Sequence, residues 1–207
     1  MSDAIRPSAG DFYAQTKIEA EKALRESRLH WSIFRLAAVM GVSNHKLSSL
    51  MFHMPLNTSL EMITPEDSAR AFVHALGRLE ILQGRTFNLG GGELCRTSYK
   101  DFLNRSFKAF GLGSMLFPEG AFAERNFHCG YYADGDELED LLSFRKQTLS
   151  GYYAQVDASV PAFKRVLARI FNLFVQGYLL LLSEPFRVKW FGSRKQKERF
   201  FRLLPGV

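Results

Sequence analysis

Tyr13 and Lys17 stand four residues apart in Tyr13-Ala14-Gln15-Thr16-Lys17, which runs directly into Ile18-Glu19-Ala20-Glu21-Lys22-Ala23-Leu24. On a helix, residues i and i+4 share a face, so the phenol and the ammonium point the same way. A neighbouring lysine charge favours the phenolate and lowers a tyrosine pKa whose ordinary value is about 10. A tyrosine so placed can exchange a proton with a substrate hydroxyl or carbonyl near neutral pH. A solvated helix carrying an incidental Tyr and Lys is the competing reading, because the chain has seven tyrosines.

The elements that would position this pair follow in order. A helix is expected over 11–28. His30 to Gly41 contains a short apolar run with a glycine exit, read as a buried strand over 31–39. Thr64-Pro65-Glu66-Asp67 predicts a helix start: a capping hydroxyl, proline in the first turn, and acids at the positive end of the dipole. Phe87-Asn88-Leu89 lies in a second strand, 85–90, leaving through Gly90-Gly91-Gly92. Thr97 or Ser98 then caps a helix that runs to about Gly111.

This series resembles the C-terminal half of the extended short-chain dehydrogenase/reductases, the NAD-dependent epimerase/dehydratase family. The resemblance rests on the Tyr-x-x-x-Lys helix with its trailing Ala-Glu, the strand with Arg35 and Gly41, and the Glu66-Asp67-Ser68-Ala69 helix. It also rests on the Phe-Asn-Leu-Gly-Gly strand at 87–91 and a late Asp134 to Arg145 segment with Ser143 where glycine is usual. It covers residues 7 to 153. The resemblance implies an α/β fold: a partial Rossmann-like, doubly wound sheet, a small substrate-side region and a C-terminal helical extension. It implies NAD or NADP as cofactor, Tyr13 as the acid/base, and Lys17 as the group that tunes it and holds the nicotinamide ribose. Backbone around Leu36 and Val39 would lie near the nicotinamide.

One departure bears on all of this. Only twelve residues precede Tyr13, so the strand and G-x-x-G-x-x-G turn that hold the cofactor pyrophosphate in the family are expected to be lacking. Gly90-Gly91-Gly92 has the wrong spacing to replace that turn and reads as a strand exit. The family's upstream Ser or Thr, which polarises the substrate carbonyl, has no counterpart; Ser8 lies in a loop-like stretch only five residues before Tyr13. Redox chemistry on a carbonyl, hydroxyl or sugar-nucleotide-like substrate would therefore require the missing half, and the chain alone is not expected to bind cofactor. A non-catalytic binding or scaffold protein is the alternative function.

Composition fits a globular protein of 207 residues, 46% hydrophobic, with nineteen phenylalanines. Cys95 and Cys129 show no paired spacing, so reduced thiols in a cytoplasmic setting are expected. Histidines 30, 45, 53, 74 and 128 make no metal-ligand pattern, and no metal site is expected. Charge is lopsided: residues 163–207 carry +8, leaving −2 on residues 1–162 out of a total of +6. The domain division expected is 1–157, the C-terminal part of an NAD(P)-binding epimerase-type domain, followed by 158–207, a basic amphipathic extension.

In that extension one helix is expected from Val160-Pro161 to near Pro185, with Phe163, Leu167, Ile170, Phe174 and Tyr178 on a stripe and Gln176 roughly opposite. The stripe is read as packed on the domain or on another chain, or as lying on an anionic membrane. It is too short and polar for a membrane span. Nucleic-acid binding by Phe186 to Leu204 lacks a motif. A sheet without its first strands has a bare edge and a bare apolar face, so a homo-oligomer or a partner supplying the missing half is expected.

Overall fold

A computed structural model describes residues 5–8, 10–42, 48–125 and 129–202. His45, His128 and the end of the Phe186–Leu204 stretch lie outside the described residues. In chain order the elements are α1 (Phe12–Glu26), β1 (Ile33–Leu36), β2 (Ala38–Val39), β3 (Ser59–Ile63), α2 (Pro65–Leu76), α3 (Leu79–Leu82), β4 (Thr86–Leu89), β5 (Arg96–Ser98) and α4 (Tyr99–Ala109). Then come α5 (Asp136–Leu142), α6 (Leu149–Ser159), α7 (Ala162–Ile170), α8 (Asn172–Leu182), α9 (Glu184–Phe191) and α10 (Arg194–Phe200). Two compact units form: Met1–Met40 with Glu61–Arg96 and Tyr131–Thr148, and Gly41–Leu60 with Thr97–Gly130 and Leu149–Val207. Residues 158–207 fall within the second.

The fold is mixed α/β with small parallel sheets, as the sequence predicts. The single strand expected over 31–39 is divided at Ala37. Its first part pairs in parallel with β4, Ile33 opposite Thr86 and Leu36 opposite Leu89. Its second part pairs in parallel with β3, Ala38 opposite Met62 and Val39 opposite Ile63. The handover takes three residues: Ala37 N donates to Leu89 O at 2.9 Å, and Met40 N donates to Ile63 O at 2.9 Å. A run of apolar residues does not reveal this, because both halves of the strand have the same β-forming composition. Among the described residues β1 has a strand, β4, on one edge only.

The first unit's core is Ile63, Ala71, Ala75, Leu82, Phe87, Leu89, Leu138, Leu142 and Phe144, with Phe34 packed against it. Helix α2 starts as its sequence requires, the Thr64 hydroxyl accepting from Asp67 N at 3.2 Å with Pro65 in the first turn. Its Asp67 carboxylate, buried, accepts the amides of Lys146 and Gln147 at 3.0 Å each and ties the chain after α5 to the start of α2. Helix α5 ends at Ser143 with φ +48°, a left-handed conformation. A side chain is disfavoured there and glycine is not. Ser143→Gly should therefore stabilise the protein by about 0.5–1 kcal/mol, read as a raised denaturation midpoint. An unchanged or lowered midpoint would show that Ser143 carries no strain.

In the second unit Ser98 is the cap of α4, accepting from Asp101 N at 3.0 Å. Helix α4 packs on α6 through Phe102 and Tyr152, whose rings are stacked 6.5 Å apart, and through Tyr153, whose hydroxyl donates to Phe102 O at 2.9 Å.

The single helix expected from 161 to 185 is two helices, α7 and α8, bent by 73° at Phe171. Each is anchored differently. On α7, Arg165 donates to Asp157 O, and the backbone at Arg165 packs against Gly111 so closely that a Cβ there would collide with it. On α8, Gln176 is buried. Its amide donates to Leu112 O at 3.2 Å and Ser114 O at 3.1 Å, and its oxygen accepts from Leu116 N at 2.8 Å. Gln176 thus sits on the packed side of α8, not on a solvated one.

Candidate active site

An open cleft of about 970 Å³ lies in the first unit. Its walls come from α1, β1, Val39 and Tyr132. Tyr13, Lys17, Leu36 and Val39, the residues nominated from the sequence, all line it. The Lys17 ammonium lies 5.3 Å from the centre of the Tyr13 ring, so the i, i+4 spacing brings the pair together. Tyr13 is 73% exposed.

No residue of α1 is fully buried; Ala14, Ile18 and Leu24 are half-buried, and charged hydrogen bonds tie the helix to the strands. Arg35 of β1 grips Glu21 with two charge-assisted bonds, Nε to Oε1 and Nη2 to Oε2, both 2.8 Å. Arg25 donates to Glu21 at 3.3 Å and to Thr86 of β4 at 2.7 Å. Glu21 is four residues beyond Lys17, so Tyr13, Lys17 and Glu21 form one helical row. The grip on Glu21 therefore fixes the rotation at which Tyr13 and Lys17 are presented.

Arg35 also holds the Glu21 carboxyl below the usual carboxylate range, with partial burial opposing it. A depressed folded pKa stabilises the docked helix fully above the unfolded value, about 4.3, and the contribution is lost as pH falls through the lower folded value. Amide hydrogen exchange in α1, corrected for intrinsic rates, should lose protection below about pH 4. Glu21→Gln should weaken docking by about 1–2 kcal/mol at neutral pH. Equal protection in the variant and the wild type would remove this anchor from the account.

Behind the cleft, Glu61 is fully buried and accepts Gly92 N at 2.9 Å, Arg96 Nε at 3.0 Å and Tyr132 N at 3.1 Å. Arg96 also donates to Tyr132 O at 3.0 Å, so one ion pair holds both ends of the Tyr132 peptide unit. This fixes the loop from which Tyr132 reaches the cleft, its hydroxyl 3.5 Å from Leu36 O. Nearby, Asn88 donates to Asp134 at 2.8 Å and holds that carboxyl below its ordinary range.

Close packing, in part against Glu61, explains the first two glycines after β4. A Cβ at Gly90 would overlap Glu61, and one at Gly91 would overlap Met62 O and the Cys95 side chain. The glycine run serves close packing at a strand exit. The amino end of α1 is not an anion site either, because Asp11 caps it, accepting from Ala14 N at 2.9 Å.

Glu21 could have been found in the sequence by extending the Tyr13–Lys17 row one turn. Glu61 and Tyr132 left no such signal, being 71 residues apart in the chain. Neither Cys95 nor Cys129 is in a disulfide. Among the described residues no three His, Cys, Asp or Glu side chains converge on a metal-sized site.

No family model matches the sequence, and no curated protein matches it. Solved structures do resemble it. The crystal structure of dTDP-glucose 4,6-dehydratase from Bacillus anthracis str. Ames in complex with NAD is similar, with a TM-score of 0.58 at 13% identity over 76% of this chain and 53% of that one. A short-chain dehydrogenase/reductase superfamily protein from Agrobacterium tumefaciens with bound NAD gives 0.54 at 14% identity, over 80% and 63%. The Bordetella bronchiseptica enzyme WbmH in complex with NAD+ gives 0.54 at 21% identity, over 79% and 55%. The chain thus spans little more than half the length of most of these structures. At these identities the likeness shows a Rossmann-like fold shared with NAD-dependent epimerases, dehydratases and other short-chain dehydrogenase/reductases.

Proposed function

We propose that the cleft beside β1 is the proton-transfer side of an NAD(P)-linked redox site acting on a carbonyl, hydroxyl or sugar-nucleotide-like substrate. The observation that carries this reading is the convergence of Tyr13, Lys17, Leu36 and Val39 on one cleft. In this reading Tyr13 gives a proton to, or takes one from, the reacting oxygen. Lys17 holds the nicotinamide ribose by hydrogen bonds and keeps a positive charge beside the phenol. Backbone from Leu36 to Val39 forms the floor on which the nicotinamide would rest.

The residues present fit one end of the cofactor. An exposed tyrosine, an ammonium and a strand edge suit a nicotinamide and its ribose. The pyrophosphate needs converging amides. The 207 residues contain no glycine-rich turn of that kind, and Asp11 at the amino end of α1 would repel it. When bound, the nicotinamide supplies or accepts the hydride, which no side chain of this protein can do. In this reading a glycine-rich nucleotide-binding half joins this chain, through a longer polypeptide or a partner, along the edge of β1 that has no strand among the described residues.

The test is cofactor binding. The 207-residue chain alone should bind NADH and NADPH no tighter than about millimolar. Joined to a glycine-rich half from a structural relative, it should bind one of them with a micromolar constant. Lys17→Ala should weaken that binding about tenfold or more, by loss of a charged hydrogen bond. Full affinity in the Lys17→Ala protein would refute the assignment of Lys17.

A further inference from the structure

The helical pair α7–α8 turns its apolar residues outward and a polar one inward. Phe163, Leu167 and Ile170 on α7, and Leu173, Phe174 and Leu181 on α8, are each at least half exposed, Phe174 at 76%. On α7 the spacing of four, three and seven residues is that of one helical face, and on α8 Phe174 and Leu181 stand seven residues apart on another. In a water-soluble helix that face would be buried. Here the inward side of α8 is already taken by Gln176, bonded to three backbone groups between Leu112 and Leu116, and by buried Leu179. Ser183, at the end of α8, is buried and donates to Ala121 O at 2.6 Å. Rotating α8 to hide its leucines and phenylalanine would break these bonds and leave buried carbonyls unpaired.

The charge pattern says what covers this face. Between Asp157 and Glu184 the chain has no acidic residue, while exposed Lys164 and Arg169 lie on α7 beside the apolar face. Residues 163–207 together carry +8. A second copy docked on the same face would set Lys164 and Arg169 against cations of the same sign, whereas an anionic lipid surface has the complementary sign. Length points the same way. Nine residues of α7 and eleven of α8 extend about 13 and 16 Å, each well short of the ~30 Å hydrocarbon core, and the two are bent by 73°. No single helix among the described residues is long and apolar enough to cross a membrane.

We propose that the outward face of α7 and α8 docks on the surface of an anionic bilayer. Phe163, Leu167, Ile170, Leu173, Phe174 and Leu181 enter the boundary between headgroups and acyl chains. Lys164 and Arg169 extend toward the lipid phosphates.

Co-sedimentation of the full chain with phosphatidylcholine vesicles, with and without about 30% phosphatidylserine, tests this. Binding should be at least tenfold stronger to the anionic vesicles and should fall as salt is raised. Phe174→Asp with Leu173→Asp should abolish it. Both positions are exposed, so helical circular dichroism should be retained. If that pair unfolds, Lys164→Glu with Arg169→Glu reads the same face and should weaken anionic binding at least tenfold, since each cation contributes about fivefold. Equal binding to both vesicle types, no binding by the folded wild type, or undiminished binding by folded variants would overturn the proposal. So would light scattering that finds a dimer, dissociated by Phe174→Asp, in a protein that ignores vesicles; the face would then join copies of the chain.

Discussion

Tyr13→Phe, in the protein completed by a nucleotide-binding half, should lower turnover by about two to four orders of magnitude while leaving cofactor affinity nearly unchanged. The substitution removes one hydroxyl from a ring that is largely exposed, so neither packing nor the Lys17 contact to the ring should change much. Only the proton-transferring group is lost. Lys17→Ala should differ in kind, damaging both affinity and turnover. The two variants therefore separate proton transfer from ribose binding, and steady-state kinetics with a parallel binding titration distinguishes them. Equal turnover in wild type and Tyr13→Phe would remove the tyrosine from the mechanism.

The largest effect on stability should come from Glu61→Ala. Glu61 has no exposed side-chain surface and satisfies Gly92 N, Tyr132 N and the Arg96 guanidinium at once. Removing it leaves two amides and a cation without their acceptor. Breaking a buried pair on one side costs about 3–5 kcal/mol, and the partial exposure of Arg96 places this case near 3. Against a total stability of about 5–15 kcal/mol that is a large fraction. Glu61→Gln keeps the shape and one acceptor oxygen and should lose about half as much. Denaturant melts of both variants give the measurement. A loss below 1 kcal/mol in Glu61→Ala would mean that the strand exit and the Tyr132 loop hold their positions without it.

The elements legible in the sequence were those whose cause is local. Thr64-Pro65-Glu66-Asp67 and Ser98 start helices α2 and α4 through hydroxyl–amide bonds within three residues. Tyr13 and Lys17 meet because a helix brings i and i+4 together. Ser143, singled out in a place where glycine is usual, is the one non-glycine residue with positive φ among the described residues. What could not be read depends on distant partners. The strand expected over 31–39 divides at Ala37 because β4 and β3 compete for its two parts. The helix expected over 161–185 breaks at Phe171 because Arg165 is held near Asp157 and Gln176 near Leu112. Gln176, roughly opposite the apolar stripe in the sequence pattern, is buried because the loop from Leu112 to Leu116 takes up its hydrogen bonds. Glu61 carries no mark of its role, since its partners lie 31, 35 and 71 residues away.

The most direct test of the central claim is a crystal structure of the completed protein with NAD or NADP bound. The nicotinamide should lie over the backbone between Leu36 and Val39, the ribose hydroxyls within hydrogen-bond reach of Lys17 Nζ, and the Tyr13 hydroxyl on the substrate side of the ring at about 3 Å from a bound substrate oxygen. A cofactor held elsewhere, with Tyr13 and Lys17 turned to solvent, would contradict it.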